Sequence, residues 1–240
     1  MMKRQTYKFA LESVLPNGSY LGMVCCAVFL LLVNQALSAT NVFEWVRIPS
    51  GPDEEVATAI AVDPGGNSYV TGYFGEYFGG RFASEIPGQA TFGSTNITSA
   101  GSDDIFIAKY DSAGLLQWVR TAGGPAQPPG SLYAQSWDRG LSIALDRLGN
   151  AYVTGFMGPG VFVAKYTSDG ASAWVRNSSI DPQIGGSTSG NSIAVDPEGN
   201  SYVTGDFQSS LTIGEIELVA PFGQSDIFVA KGERNNNLSK

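Results

Sequence analysis

The word Gly-Asn-[Ser/Ala]-Tyr-Val-Thr-Gly occurs three times, at residues 66–72, 149–155 and 199–205. Each copy follows a short apolar run closed by aspartate: Ala59-Ile-Ala-Val-Asp63, Ser142-Ile-Ala-Leu-Asp146 and Ser192-Ile-Ala-Val-Asp196. Two further words keep step. Phe-[Ile/Val]-Ala-Lys stands at 106–109, 162–165 and 228–231, and Trp-Val-Arg begins at Trp45, Trp118 and Trp174. A large unit that returns in fixed order every ~50–80 residues is one supersecondary module used three times, and stacking its copies must supply the buried interior.

Within the first unit four stretches of strand length are separated by turn residues: 57–63 (a), 68–74 (b), 104–111 (c) and 115–121 (d). Val, Ile, Tyr, Phe and Thr dominate them. Asp63-Pro-Gly-Gly-Asn67 and Asp111-Ser-Ala-Gly114 are tight-turn chemistry, in which Asp caps free N–H groups, Pro presets φ and Gly accepts positive φ. Four antiparallel strands per unit is the plan of a β-propeller blade. The expected fold is all-β: a propeller-like array of three four-stranded antiparallel blades. In the second unit 155–160 joins b to c directly, where the other units spend more than 20 residues.

The ordered words Asp-Ile-Phe-[Ile/Val]-Ala-Lys, Trp-Val-Arg and Ile-Ala-Val-Asp-Pro-x-Gly-Asn-x-Tyr-Val-Thr-Gly resemble the bacterial β-propeller repeat called SBBP. The likeness runs through nearly all of residues 43–231. It implies a propeller in an exported or cell-surface bacterial protein, and no common catalytic residues.

Strand order carries a further expectation. The chain reads d at 43–48, then a-b-c-d, a-b-c-d and a-b-c, with Gly232-Glu-Arg-Asn-Asn-Asn in place of the last turn and Trp strand. That phase predicts velcro closure, the N-terminal strand completing the third blade, or else a cut through a longer array. Closed propellers generally have four to eight blades. Three blades therefore leave an open arc, several chains assembled into a larger ring, or a gene fragment.

Residues 1–39 read as an export signal. Lys3, Arg4 and Lys8 form a basic start, 23–33 is an unbroken apolar run, and Ala36-Leu-Ser-Ala39 suits cleavage. The run falls short of the ~20 apolar residues of a membrane span, so an uncleaved anchor is the lesser alternative. The repeat domain is expected over 40–232 and a disordered tail over 233–240. Export places the protein in the periplasm, at the cell surface or outside the cell.

Composition then narrows the chemistry. Both cysteines, Cys25 and Cys26, lie in the signal, and the chain has no histidine. The mature chain thus has no disulfide, Cys nucleophile, Ser-His-Asp triad or His-ligated metal. Without residues 1–39, 11 basic residues face 21 acidic ones, a net charge near −10. Such a surface argues against nucleic acid as a partner. No cofactor motif appears, and neither a cofactor nor a metal is expected.

Antiparallel alternation sorts the loops onto two faces. The a–b and c–d turns are short and stereotyped. The d–a loops (49–56, 122–140, 177–190) and b–c loops (75–103, 206–225) are long and different in each unit. Variable loops on a rigid scaffold are where binding usually resides, so the candidate contacts are Tyr77, Phe78, Arg81, Tyr133, Trp137, Asp138 and Arg139. Trp45, Trp118 and Trp174 recur with the repeat and read as packing residues. Asp63, Asp146 and Asp196 read as caps of their own turns rather than a Ca²⁺-binding ring. Asp103, Asp104 and Asp226 read as turn caps as well, and Glu54-Glu55 as a solvated charge pair. Lys109, Lys165 and Lys231 read as scaffold, and Arg47, Arg120 and Arg176 as charges guarding an outer edge.

The leading functional expectation is a non-catalytic exported module that binds protein or glycan, belongs to a surface assembly, or associates with itself to complete a ring. A carboxylate-dependent glycan-processing enzyme is the alternative from another class, with Asp138 and Asp181 or Asp206 as conceivable partners. A truncated piece of a longer propeller protein is the third reading.

Overall fold

In the computed structural model, residues 43–75, 87–125, 137–180, 186–221 and 224–233 are described. The expected signal and tail lie outside them, save Glu233. The chain divides into 1–44 and 45–240, and every strand among the described residues belongs to the second unit.

Among the described residues fifteen strands form this unit. The first sheet contains β1 (Glu54–Val62), β2 (Ser68–Gly75), β5 (Asp103–Tyr110) and β6 (Leu116–Ala122), in that order and antiparallel throughout. The second contains β7 (Asp138–Leu145), β8 (Ala151–Met157), β9 (Gly160–Tyr166) and β10 (Ser172–Asn177). The third has three strands, β11 (Thr188–Val195), β12 (Ser201–Gln208) and β15 (Ser225–Gly232). These are the a-b-c-d, a-b-c-d and a-b-c units of the repeat.

The repeated words now have physical causes. Strand a carries an irregularity at the same place in each sheet, between Ala57 and Ala59, Gly140 and Ser142, and Gly190 and Ser192. There it crowds strand b. A Cβ on Gly72, Gly155 or Gly205 would run into the carbonyl of Val56, Arg139 or Ser189, and would press on Phe106, Phe162 or Phe228. The preceding threonines, Thr71, Thr154 and Thr204, donate to the carbonyls of those same phenylalanines at 2.9, 2.8 and 2.9 Å. Asp63, Asp146 and Asp196 cap their own turns, each accepting from the backbone and side-chain amides of Asn67, Asn150 or Asn200.

The sheets stack face against face. Tyr69, Ile105, Ile107 and Trp118 of the first sheet meet Ile143, Val153, Phe162 and Tyr166 of the second. Tyr152 and Val161 of the second meet Ile193, Val203 and Phe228 of the third. Burying such side chains contributes roughly 1.5–3 kcal/mol each.

Two features depart from the sequence reading. The long b–c connections contain hairpins, β3–β4 (Gln89–Phe92, Thr95–Thr98) and β13–β14 (Ser210–Ile213, Ile216–Val219). The first covers Phe74 and Phe106 with Ala90, Phe92 and Ile97. The second inserts Leu211 beside Phe207. Residues 43–48, expected as a velcro strand, are not a strand, and they do not pair with β15. Trp45 and Arg47 instead lie against the turn after β5. The array is therefore open, the incomplete form of the expected fold.

Candidate functional site

The long-loop side of the first two sheets gathers the ends of β2 and β6 and the beginnings of β5 and β7. Of the seven residues expected there, Tyr77, Phe78, Arg81 and Tyr133 lie outside the described residues. Trp137, Asp138 and Arg139 are brought together at the start of β7, where Trp137 pairs in parallel fashion with Asp103.

Arg139 is the centre of the group. Its Nε and Nη2 donate to Asp103 Oδ2 at 2.9 and 2.5 Å, so two nitrogens converge on one carboxylate oxygen. Its guanidinium lies 4.0 Å from the ring of Tyr73 and 5.5 Å from that of Trp137. The Asp103 side chain is 3% exposed and that of Arg139 23%. Trp137 is 39% exposed and supplies the open apolar edge. A guanidinium held between two rings keeps one planar arrangement, because ion pair and cation–π contact fix different parts of it.

Asp138 turns inward. It is buried, and its two carboxylate oxygens accept from the backbone N–H groups of Gly158 and Gly124, at 2.6 and 2.7 Å. Burial pushes its pKa up, against those two hydrogen bonds and with help from Asp103. Its work is to tie β7 to the turn after β8 and to the chain leaving β6.

Asp104 projects to the other face of β5 and caps a turn as expected, accepting from Ala100 N at 2.8 Å. Burial raises its pKa to about 6; bonds from Ala100 and Gly101 oppose the rise, while Asp138 and Asp103 add to it. Its Oδ1 is buried without a partner among the described residues. Asp103, expected as a turn cap, is an ion-pair partner instead. The sequence offered no sign of this, because neither residue belongs to the recurring words: the positions equivalent to Arg139 in the first and third sheets are Val56 and Ser189.

Other candidates have other partners. Asp206 accepts from Asn191 Nδ2 at 2.7 Å within the third sheet, Asp226 accepts from its neighbour Ile227 N, and Asp181 lies outside the described residues. Glu54 and Glu55 open β1 rather than a loop, and Glu55 is half-buried. Among the described residues no three acidic side chains form a group able to hold a metal ion.

The outer-strand arginines do more than guard an edge. Arg120 Nε donates to Gly170 O of the next sheet at 2.8 Å, and its guanidinium lies 5.8 Å from Trp118. Lys109 Nζ donates to Ser168 O, again in the next sheet. Both join one repeat to another.

The match to known families falls on the third unit, where β11, the Asp-capped turn and β12 follow one another. Residues 183–206 match the model of the SBBP β-propeller repeat. The chain carries that repeat. None of the curated proteins matches the chain. The SBBP sequence thus coincides with strands a and b and the turn between them. The same words in the first two units build the same a–b hairpin, with the same bulge and glycine.

Proposed function

We propose that the chain is an exported, non-catalytic propeller-repeat protein that binds a protein or a glycan through its long-loop side. The observation that carries this reading is the Tyr73–Arg139–Trp137 stack braced by Asp103. An exposed tryptophan beside a fixed guanidinium presents an apolar plate and directed donors, the chemistry of hot spots in protein recognition and of sugar stacking. The SBBP repeat and the basic-then-apolar N-terminus support a scaffold working outside the cytoplasm.

Carboxylate hydrolysis is less well supported by the same residues. Asp138 has both oxygens bound to backbone, and Asp103 is held by Arg139. Neither is free to serve as an acid or nucleophile.

The test is a screen of the full chain on immobilised glycans and cell-envelope proteins. Binding should be lost with Trp137→Ala and weakened at least about tenfold with Arg139→Ala, in line with a hot-spot side chain. Binding unchanged in both variants would refute the site. Release of reducing ends from any bound glycan would favour the hydrolase.

A further inference from the structure

Each outer strand reaches forward to the next sheet. Trp118 Nε1 donates to Ser168 O at 3.2 Å, and Arg120 Nε donates to Gly170 O at 2.8 Å. One repeat later the chain beyond Trp174 forms an antiparallel bridge from Ser179 to Thr212 of hairpin β13–β14. Residues 45–50 make this same set of contacts with the first sheet, yet among the described residues no sheet stands behind them. Trp45 Nε1 donates to Ser112 O at 3.2 Å, Arg47 Nε to Gly114 O at 2.6 Å, and Ser50 bridges Thr91 of hairpin β3–β4. The segment occupies the place of the outer strand of a preceding blade.

The third sheet shows the complementary deficit. Among the described residues no strand pairs with the outer edge of β15. Its forward face is open: Ile227 and Val229 are 76% and 77% exposed, where their counterparts Ile105 and Ile107 on the first sheet are fully buried. On the other side, Ile60 of the first sheet is 63% exposed, whereas Ile143 and Ile193 at the same repeat position are 7% and 6%. The aromatic pairs are divided likewise. Trp118 meets Tyr69 at 5.9 Å and Trp174 meets Tyr152 at 6.0 Å. Trp45 stands without the tyrosine of its own blade, and Tyr202 without its tryptophan.

We propose that a second copy of this chain docks head to tail on the first, its residues 45–48 pairing with the outer edge of β15 in the first copy's third sheet. Two copies then close into a ring of six blades, within the four-to-eight range of propellers. By the register of Trp118–Arg120 on β5 and of Trp174–Arg176 on β9, Trp45 pairs with Lys231 of the other copy, Val46 with Ala230 and Arg47 with Val229. The segment already sits on its own first sheet as docking requires, so association needs no refolding. Paired apolar faces of this kind are what repeat arrays cap or bury. No ligand at Arg139 is involved, so failure of this pairing leaves the loop-side reading standing.

One position departs from the repeat. Ala57 stands where the second and third sheets have Gly140 and Gly190, and a Cβ at either glycine would run into the hydroxyl of Thr71 or Thr154. Thr204 is the corresponding threonine of the open face, so the seam between copies is tighter there than the seams within one chain.

The test uses the full chain with Cys25 and Cys26 changed to Ser, in two versions, Val46→Cys and Ala230→Cys. Oxidising a mixture of the two should give a covalent dimer that neither version gives alone. Light scattering of the parent chain should give twice the chain mass. Ile227→Asp with Val229→Asp should return it to one folded chain that keeps the strand signal of the parent, because both side chains are exposed in the single chain. Ala57→Gly should tighten the dimer by about tenfold, the relief of one overpacked methyl. A single-chain mass at every concentration would overturn the proposal. So would a disulfide formed within one chain carrying both cysteines, or no covalent dimer from a folded mixture.

Discussion

The indole of Trp118 meets the phenol of Tyr69 edge to face, 5.9 Å between ring centres, and Trp174 meets Tyr152 at 6.0 Å in the same way. Each pair joins the outermost and second strands of one sheet on the side that faces the next. The tyrosine hydroxyl then extends across the seam, where Tyr152 donates to Gly199 O at 3.1 Å. Packing within a blade and docking between blades are thus functions of the same side chains.

Trp118→Ala should therefore cost about 3–5 kcal/mol in urea unfolding, the range for emptying a buried tryptophan site. Trp45→Ala in dilute single chains should cost under about 1 kcal/mol, since residues 45–50 border the sheets without belonging to one. Equal losses would mean that the N-terminal segment carries as much of the core as β6.

Gly155→Ala should prevent stable folding or cost at least about 3 kcal/mol, because its methyl would collide with the carbonyl of Arg139 and press on Phe162. Gly158→Ala should cost only about 1 kcal/mol, for the positive φ of 55° alone, since nothing lies within 4 Å of that position. Thermal or urea midpoints of the two variants decide this.

Arg139→Met should cost about 3–5 kcal/mol, because it strands the buried charge of Asp103. Adding Asp103→Leu should recover most of the loss, since removing both partners leaves no uncompensated charge. A double variant no more stable than Arg139→Met would show that Arg139 acts through its stack on Tyr73 rather than through the ion pair.

The pH dependence has two opposed arms. Asp104 has a folded pKa raised to about 6. Against an unfolded value of about 4, its contribution is fully present below pH ~4 and is lost as pH rises through ~6. Asp63, Asp146 and Asp196 titrate lower than usual: burial works against ionisation, but the hydrogen bonds from their turns outweigh it. Their contribution is present above about pH 4 and is lost on further acidification. Stability should therefore peak on the acidic side of neutrality. Asp104→Asn should reduce the decline between about pH 4 and 6, a gain of about 1 kcal/mol at pH 7 after allowing for solvent screening, and Asp138, whose pKa burial also raises, should keep part of it. Urea midpoints across pH 3–8 test both arms.

The repeated words were enough to read the blades, because each recurring residue serves a contact made in every sheet. The threonine bonds to the phenylalanine carbonyl, the glycine admits the bulge of strand a, and the aspartate locks its turn. The hairpins β3–β4 and β13–β14 were hidden, since short strands of mixed polarity such as Thr95–Thr98 resemble loop sequence. Arg139 and Asp103 were hidden for a different reason: their pairing depends on stacking between units, and neither belongs to the repeat. The place of Trp45 was half legible. Its phase marked it as an outer strand, but the expected pairing with the third blade of the same chain gives way to contacts with the turn after β5.

The Asp-to-Asn lock of the a–b turns is made by the aspartate carboxylate and the asparagine amides, so in the second sheet it does not depend on the exposed side chain of Leu148 that lies between them. Substitutions at that one site can tune solubility while the architecture stays the same.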